Sequence, residues 1–300
     1  MGLDAALDRF WEVAGARRLG IESIQVVADD GPRGERRRID DIRRDVFSVS
    51  KTVTSLAVGM LAGDGALSLD DPVLAHLPGL VDTAAAGSET ITVGHLLRMT
   101  AGNGYRWPGE DGDHPGDPAR DFLATPLVAE PGSAYHYSGG NTYVLGRVVH
   151  SISGLDLRDF LVPRLFDPLG IRNPQWLRCP LGFPLGAIGL QLRTSEITRI
   201  AQLLLHEGTF GRRRLVPGDY IARMTADTTD TGRPEPDNRT YGLHVWLCAR
   251  DRAWRMDGIY GQFGIVLPGH HACVSVMAHY LGPTTHILDC VWEHIVPALA

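Results

Sequence analysis

The stretch Phe47-Ser48-Val49-Ser50-Lys51-Thr52-Val53-Thr54-Ser55-Leu56 decides how the rest of the chain is read. Val53, Leu56, Ala57, Met60 and Leu61 recur at the spacing of one helix face, and the pattern stops at Gly63-Asp64-Gly65. A helix is therefore predicted over 52–63, with Ser48 at or near its N-terminus. Ser48 and Lys51, three residues apart, then share one face. An amine that burial deprives of its proton makes a base for the adjoining hydroxyl. The free N–H groups and positive dipole end of the helix would hold the oxygen of an attacked carbonyl. A Ser N-cap followed by a solvated Lys would give the same letters. Composition favours the chemical reading: of 29 Lys and Arg, Lys51 is the one lysine and the other 28 are arginine. Arg keeps its proton in a protein, so a chain that otherwise uses Arg has reason to keep a Lys where a base is required.

Composition bounds the alternatives. The 300 residues are 44% hydrophobic and 21% charged, values of an ordinary globular chain of one large domain or two sharing a core. A net charge of -6 and a pI near 6.0 give no reason to expect a nucleic-acid partner. No apolar run approaches the roughly 18 residues of a membrane span. Met1-Gly2-Leu3-Asp4-Ala5 lacks the basic and apolar regions of a secretory signal. Cys179, Cys248, Cys273 and Cys290 form no C-x-x-C, which disfavours a disulfide framework or a zinc site and favours the reducing cytoplasm. With no H-E-x-x-H, G-x-G-x-x-G, P-loop or G-x-S-x-G motif, neither a metal, a cofactor nor an α/β-hydrolase is expected. The acidic run Glu110-Asp111-Gly112-Asp113-His114-Pro115-Gly116-Asp117 fails the spacing of a calcium loop and reads as a rim loop. His270-His271 reads as a hairpin turn.

Around the central helix the pattern alternates in blocks. Leu3, Leu7, Phe10, Trp11 and Ala14 form a helical stripe, followed by a strand at Ile24–Val27 and a turn at Gly31-Pro32-Arg33-Gly34. The mixed-sign run Arg36–Arg44 reads as a solvated strand face and loop. Helical patterns fill 52–63, 142–153, 156–165 and 195–206. Strands are then predicted at Tyr241–Leu247, Arg252–Asp257, Gln262–Pro268 and Ala272–Ala278, with a closing helix carrying Ile287, Val291, Trp292 and Ile295. The expected class is α+β: an antiparallel sheet flanked by helices, from residues 1–50 and 206–300, with 51–205 inserted as a mostly helical lobe. Catalysis is expected in the cleft between them. Tyr105, Trp107, Tyr135, Trp254 and Tyr260 flank the motifs as candidate pocket walls.

The chain resembles the serine β-lactamase and penicillin-binding-protein superfamily, in particular its esterase and amidase branch. After the S-x-x-K of Ser48–Lys51, Leu67-Ser68-Leu69-Asp70-Asp71-Pro72-Val73, Ile91–Gly102, Pro131-Gly132-Ser133 through Tyr137-Ser138, and Gly258-Ile259-Tyr260-Gly261-Gln262 match family segments in order. The resemblance covers nearly the whole chain. It implies the β-lactamase/DD-peptidase-like fold and a serine hydrolase acting on a small-molecule ester or amide. It implies Ser48 as the acylated nucleophile, Lys51 as its proton acceptor, Tyr137 as the tyrosine that shares a proton with the leaving group, and the backbone N–H groups of Ser48 and Ile259 as oxyanion donors. Two departures stand out. The asparagine of the family's Y-x-N motif is Gly139 here, with Ser138 and Asn141 as candidate substitutes. The K-T-G motif is Met256-Asp257-Gly258. The negative charge of Asp257 leads us to expect a neutral or cationic substrate, and Gly258 to expect close substrate approach. A transacylase that passes the acyl group to an amine or alcohol, and an acylatable binder or sensor without turnover, are the alternatives. The oligomeric state is left open.

Overall fold

Two C-terminal segments, Gln262–Leu267 and Ala272–Ala278, are buried at every position, because they lie mid-sheet with helices on both faces. Their near-continuous apolar sequences follow from that placement. In this computed structural model, residues 2–29, 33–107 and 116–299 are described. Gly31-Pro32 of the first expected turn and Glu110–Pro115 of the acidic run lie outside them.

The chain opens with α1 (Leu3–Ala16), β1 (Ile21–Ala28), β2 (Arg33–Arg37) and the two-residue β3 (Arg44–Asp45) before the central α2 (Val49–Gly63). There follow α3 (Val73–His76), α4 (Val93–Leu97), α5 (Pro118–Ala124), α6 (Gly139–Ser153) and α7 (Leu157–Leu161). Next come β4 (Gln191–Leu192), which pairs β3, then α8 (Thr194–Leu205), the short hairpin β5 (Thr209–Phe210) and β6 (Arg213–Arg214), and α9 (Gly218–Ala226). The chain closes with β7 (Thr229–Asp230), β8 (Thr240–Tyr241), β9 (Trp246–Leu247), β10 (Trp254–Gly258), β11 (Gln262–Leu267), β12 (Ala272–Ala278) and α10 (Thr285–His294).

One antiparallel sheet runs β2-β1-β12-β11-β10-β9-β8-β7, so strands from the two ends of the chain meet at the β1–β12 pair, Val26 opposite Val274. α1 and α10 cover one face, where Leu7, Phe10, Ile24, Phe263, Val274 and Val291 pack. α8 covers the other face against β1, β11 and β12. It packs on the sheet, although the expected lobe of 51–205 takes it in.

Several elements depart from their expected bounds for identifiable reasons. α6 begins three residues early because the Ser138 hydroxyl caps it, accepting from Gly140 N–H at 3.2 Å. The helix expected over 156–165 gives way to a π turn at Val162–Phe166, where Pro163 has no N–H to offer. The strand expected over Tyr241–Leu247 splits into β8 and β9 around His244, whose φ is +60°.

α2 is buried from Val49 through Leu61, polar residues included. Its hydroxyls satisfy the loops wrapped around it. Thr52 donates to His244 O (2.7 Å), Thr54 to Gly186 O (2.9 Å) and Ser55 to Leu243 O (3.0 Å), while Ser50 Oγ accepts from Leu190 N–H (3.3 Å).

Candidate active site

The turn into α2 is strained and tied down. Phe47, which precedes Ser48, has φ +47°, a left-handed conformation that a bulky residue keeps only where its surroundings enforce it. Here one oxygen enforces it: Asp45 Oδ1 accepts from Phe47 N–H at 2.7 Å and from Gly189 N–H at 3.2 Å. Burial pushes the Asp45 carboxyl up, against the pull of those two donors. The Phe47 ring rests edge-on against Tyr260 at 5.2 Å.

Lys51 is 3% exposed, and its Nζ lies 2.8 Å from Ser48 Oγ. Nζ also donates to Ala187 O at 3.1 Å and stands 4.8 Å from the centre of the Tyr137 ring. Three segments distant in sequence thus converge on one nitrogen. Tyr137 is in turn backed by an aromatic box of Tyr135, Tyr241 and Trp246, at 6.4, 5.9 and 6.0 Å between ring centres. Sequence reasoning placed Tyr135 near the site and missed Tyr241 and Trp246, which arrive from the far edge of the sheet.

Also missed was His244, which is 2% exposed and joins four elements. Its Nδ1 lies 2.9 Å from Leu97 O, an acceptor only, so Nδ1 carries the hydrogen and Nε2 accepts from the Thr142 hydroxyl at 3.0 Å. Its backbone carbonyl takes the Thr52 bond described above. Burial first, and then the neighbouring Lys51, lower the imidazole to about 3. It is a neutral tie between α2, α4, α6 and the β8–β9 turn.

Ser48, Tyr137, Asp257 and Ile259 line a cleft of about 460 Å³. Among the described residues, the backbone N–H groups of Ser48 and Ile259 donate to nothing else in the chain. Tyr260, Tyr280 and Leu281 form an apolar side, with Leu281 80% exposed. Of the other flanking aromatics, Trp254 and Tyr105 belong to the core.

Gly139, Asn141 and Gly258 are buried, and none of the three lines the cleft. A Cβ at Gly139 would meet the Trp107 ring at 2.6 Å, so that indole occupies the space a side chain there would enter. Ser138 is engaged in capping, and the Asn141 amide donates to Ser138 O at 3.3 Å. At Gly258 a Cβ would stand 2.4 Å from Val46 O, so the close approach of the backbone ahead of Ser48 by itself requires a glycine there. Gly258→Ala is expected to destabilise the fold by about 2–3 kcal/mol, read as a lowered urea midpoint. An unchanged midpoint would show that the backbone there yields freely.

Asp257 needs a larger correction. Its Oδ2 receives both Nε (2.9 Å) and Nη2 (2.8 Å) of Arg255, which has no solvent exposure. Burial pushes the Asp257 carboxyl up, and Arg255 chiefly opposes that. The charge that suggested a neutral or cationic substrate is therefore balanced from behind, and that expectation loses its basis.

An antiparallel sheet covered by helices, with a serine and a lysine at the start of a buried central helix, defines a β-lactamase/DD-peptidase-like fold. The chain belongs to the Beta-lactamase family, whose model matches residues 3–289. It is 32% identical over 202 residues to the esterase EstB of Burkholderia gladioli, covering 57% of this chain and 51% of that one. The chain thus spans about half the length of this curated relative. Among solved structures, EstCE1, described as a hydrolase with promiscuous acyltransferase activity, superposes with a TM-score of 0.81 at 17% identity, covering 98% of each chain. A D-stereospecific amidohydrolase from Streptomyces sp. superposes with a TM-score of 0.72 at 23% identity, over 95% of this chain and 97% of that one. Among the described residues no helix is long and apolar enough to cross a membrane.

Proposed function

We propose that the protein is a serine hydrolase that cleaves a small-molecule ester or amide through an acyl-enzyme on Ser48. The observation that carries this reading is the 2.8 Å contact between Ser48 Oγ and the nitrogen of a buried lysine, the single lysine of the chain. Burial disfavours the ammonium form, and a neutral amine has one lone pair to accept the serine proton while it donates to Ala187 O. Oγ attacks the carbonyl carbon as its proton passes to Lys51. The carbonyl oxygen takes the displaced electron pair and is met by the N–H groups of Ser48 and Ile259. When the C=O bond re-forms, the leaving group departs with a proton from Lys51 or Tyr137. Water, deprotonated by the same base, then releases the acid and restores Ser48.

An ester is the preferred substrate over an amide, because Gly139 offers no side-chain amide to bind and orient an amide substrate. The similarity to an esterase supports the same preference. Transfer of the acyl group to an amine or alcohol is the second reading, favoured by the likeness to a hydrolase described as having acyltransferase activity. A cytoplasmic setting goes with either reading, supported by four free thiols.

Intact-mass analysis during turnover of p-nitrophenyl acetate tests the reading. A transient acetyl adduct is expected on the native chain and none on Ser48→Ala. An adduct that persists without steady turnover would point to an acylatable binder instead. Amides or new esters formed from added amines or alcohols would point to transfer.

A further inference from the structure

We infer that Asp45 is a positioning residue, one carboxylate oxygen of which keeps Ser48 and Lys51 in reacting register. The inference rests on the hydrolase reading and adds to it the group that sets the geometry of attack.

Asp45 Oδ1 stands between two short lever arms. On one side it accepts from Phe47 N–H at 2.7 Å, one residue before Ser48. On the other it accepts from Gly189 N–H at 3.2 Å, two residues after Ala187, whose carbonyl receives Lys51 Nζ at 3.1 Å. The nucleophile and the acceptor that aims its base therefore hang from the same atom. Neither arm rests in an ordinary conformation, since φ is +47° at Phe47 and +82° at Gly189. At Gly189 a glycine is required, because a Cβ would stand 2.4 Å from Leu177 Cβ. At Phe47 no such freedom exists, and the backbone is held there by its partners.

The tie completes a seam that runs from the sheet pairing to the reacting groups. Asp45 lies opposite Gln191 in the β3–β4 pair. Beyond it Val46 N–H donates to Leu190 O at 2.9 Å, and Leu190 N–H to Ser50 Oγ at 3.3 Å. The peptide between Phe47 and Ser48 carries the Ser48 N–H, one of the two oxyanion donors. Its other end, Phe47 O, accepts from Ser50 N–H at 3.0 Å. Relaxation of Phe47 to a negative φ would turn that peptide, displacing Oγ and the donor together.

The residue type agrees with this task. A half-buried carboxylate is costly unless its charge is answered. The neighbouring arginines are engaged elsewhere, Arg43 with Glu196 and Arg44 with Glu22. The two N–H groups answer the charge of Asp45, and bonds of this charge-assisted kind are the stronger ones. Asp45 does not line the cleft, so its removal bears on the rate of attack and not on substrate binding.

Rapid-mixing acylation by p-nitrophenyl acetate, followed by p-nitrophenol release and intact mass, tests this. Asp45→Ala is expected to slow acylation by about a hundredfold, the cost of a displacement on the order of 1 Å. Its half-saturating ester concentration is expected to stay within about threefold of native, and its burst per folded molecule to stay whole. Asp45→Asn keeps an oxygen for both N–H groups and is expected to recover to within about tenfold of native. Should Asp45→Ala fail to fold, Asp45→Glu takes its place. It keeps the charge but carries the oxygen one carbon further, so it is expected to acylate more slowly than Asp45→Asn. An Asp45→Ala enzyme within about threefold of the native rate overturns the inference. A smaller burst at the native rate, or a loss confined to the half-saturating concentration, overturns it too, as does Asp45→Glu matching Asp45→Asn. Each of these leaves the hydrolase reading standing. A native chain that forms no acetyl adduct would remove that reading, and the inference with it.

Discussion

Lys51→Arg is expected to lower kcat/KM for an activated ester by roughly a thousandfold or more, although it keeps a long basic side chain at the same place. The lysine nitrogen sits 2.8 Å from Ser48 Oγ with 3% of the residue exposed. At that position the site requires a base that is neutral when the hydroxyl reacts, and a guanidinium is never neutral. Ser48→Ala is expected to fall to a similar floor. The double variant is expected to lose little more than either single one, because residues that act as a unit fail together. Crowding is the competing explanation, since extra atoms in a packed site destabilise by roughly 1–3 kcal/mol. The urea midpoint of Lys51→Arg separates the two effects: such a loss leaves the protein folded at neutral pH, and its inactivity is then chemical. Retention of more than about a tenth of native activity by a folded Lys51→Arg enzyme would sink the general-base role.

His244 carries the second large effect, on stability and on its dependence on pH. His244→Ala is expected to destabilise the protein by about 3 kcal/mol at pH 7, through a cavity and a Thr142 hydroxyl left without its partner. The penalty is expected to shrink on acidification. The folded imidazole is lowered to about 3 and its unfolded value is near 6.5, so between those values the unfolded chain binds the extra proton. Stability therefore rises with pH across that window. Above about pH 6.5 the group adds no dependence. At pH 5 the native protein pays roughly 2 kcal/mol that the alanine variant escapes, which narrows the gap between them. Urea titrations of both proteins at pH 7 and pH 5 give the comparison. A gap that stays constant would mean that His244 is not held neutral.

The sequence made the chemistry of α2 legible because Ser48 and Lys51 are local neighbours, brought together by helix spacing alone. The central strands were legible too, since burial on both faces leaves an apolar run that no loop would carry. Tyr241, His244 and Trp246 were not. Their meaning lies in contacts with residues about a hundred positions or more away, and a stretch that alternates like one strand hides a left-handed break at His244. Asp257 was misjudged for a related reason. Its partner is only two residues away, in the same strand, but no periodicity indicates that Arg255 is buried and turned back upon it. Gly139 could be seen as a departure from the family pattern, whereas the indole of Trp107 that fills the space could not.

The burial of α2 along nearly its whole length also bears on how such a protein can change. Buried from Val49 through Leu61, the helix that bears Ser48 and Lys51 tolerates few replacements, since its side chains are enclosed and the hydroxyls of Ser50, Thr52, Thr54 and Ser55 are each hydrogen-bonded to the surrounding loops. The segments 231–239 and 279–284 lie at the mouth and include residues open to solvent. Diversification, natural or engineered, would therefore concentrate in those two segments, acquiring new substrates while the reacting centre stays as it is.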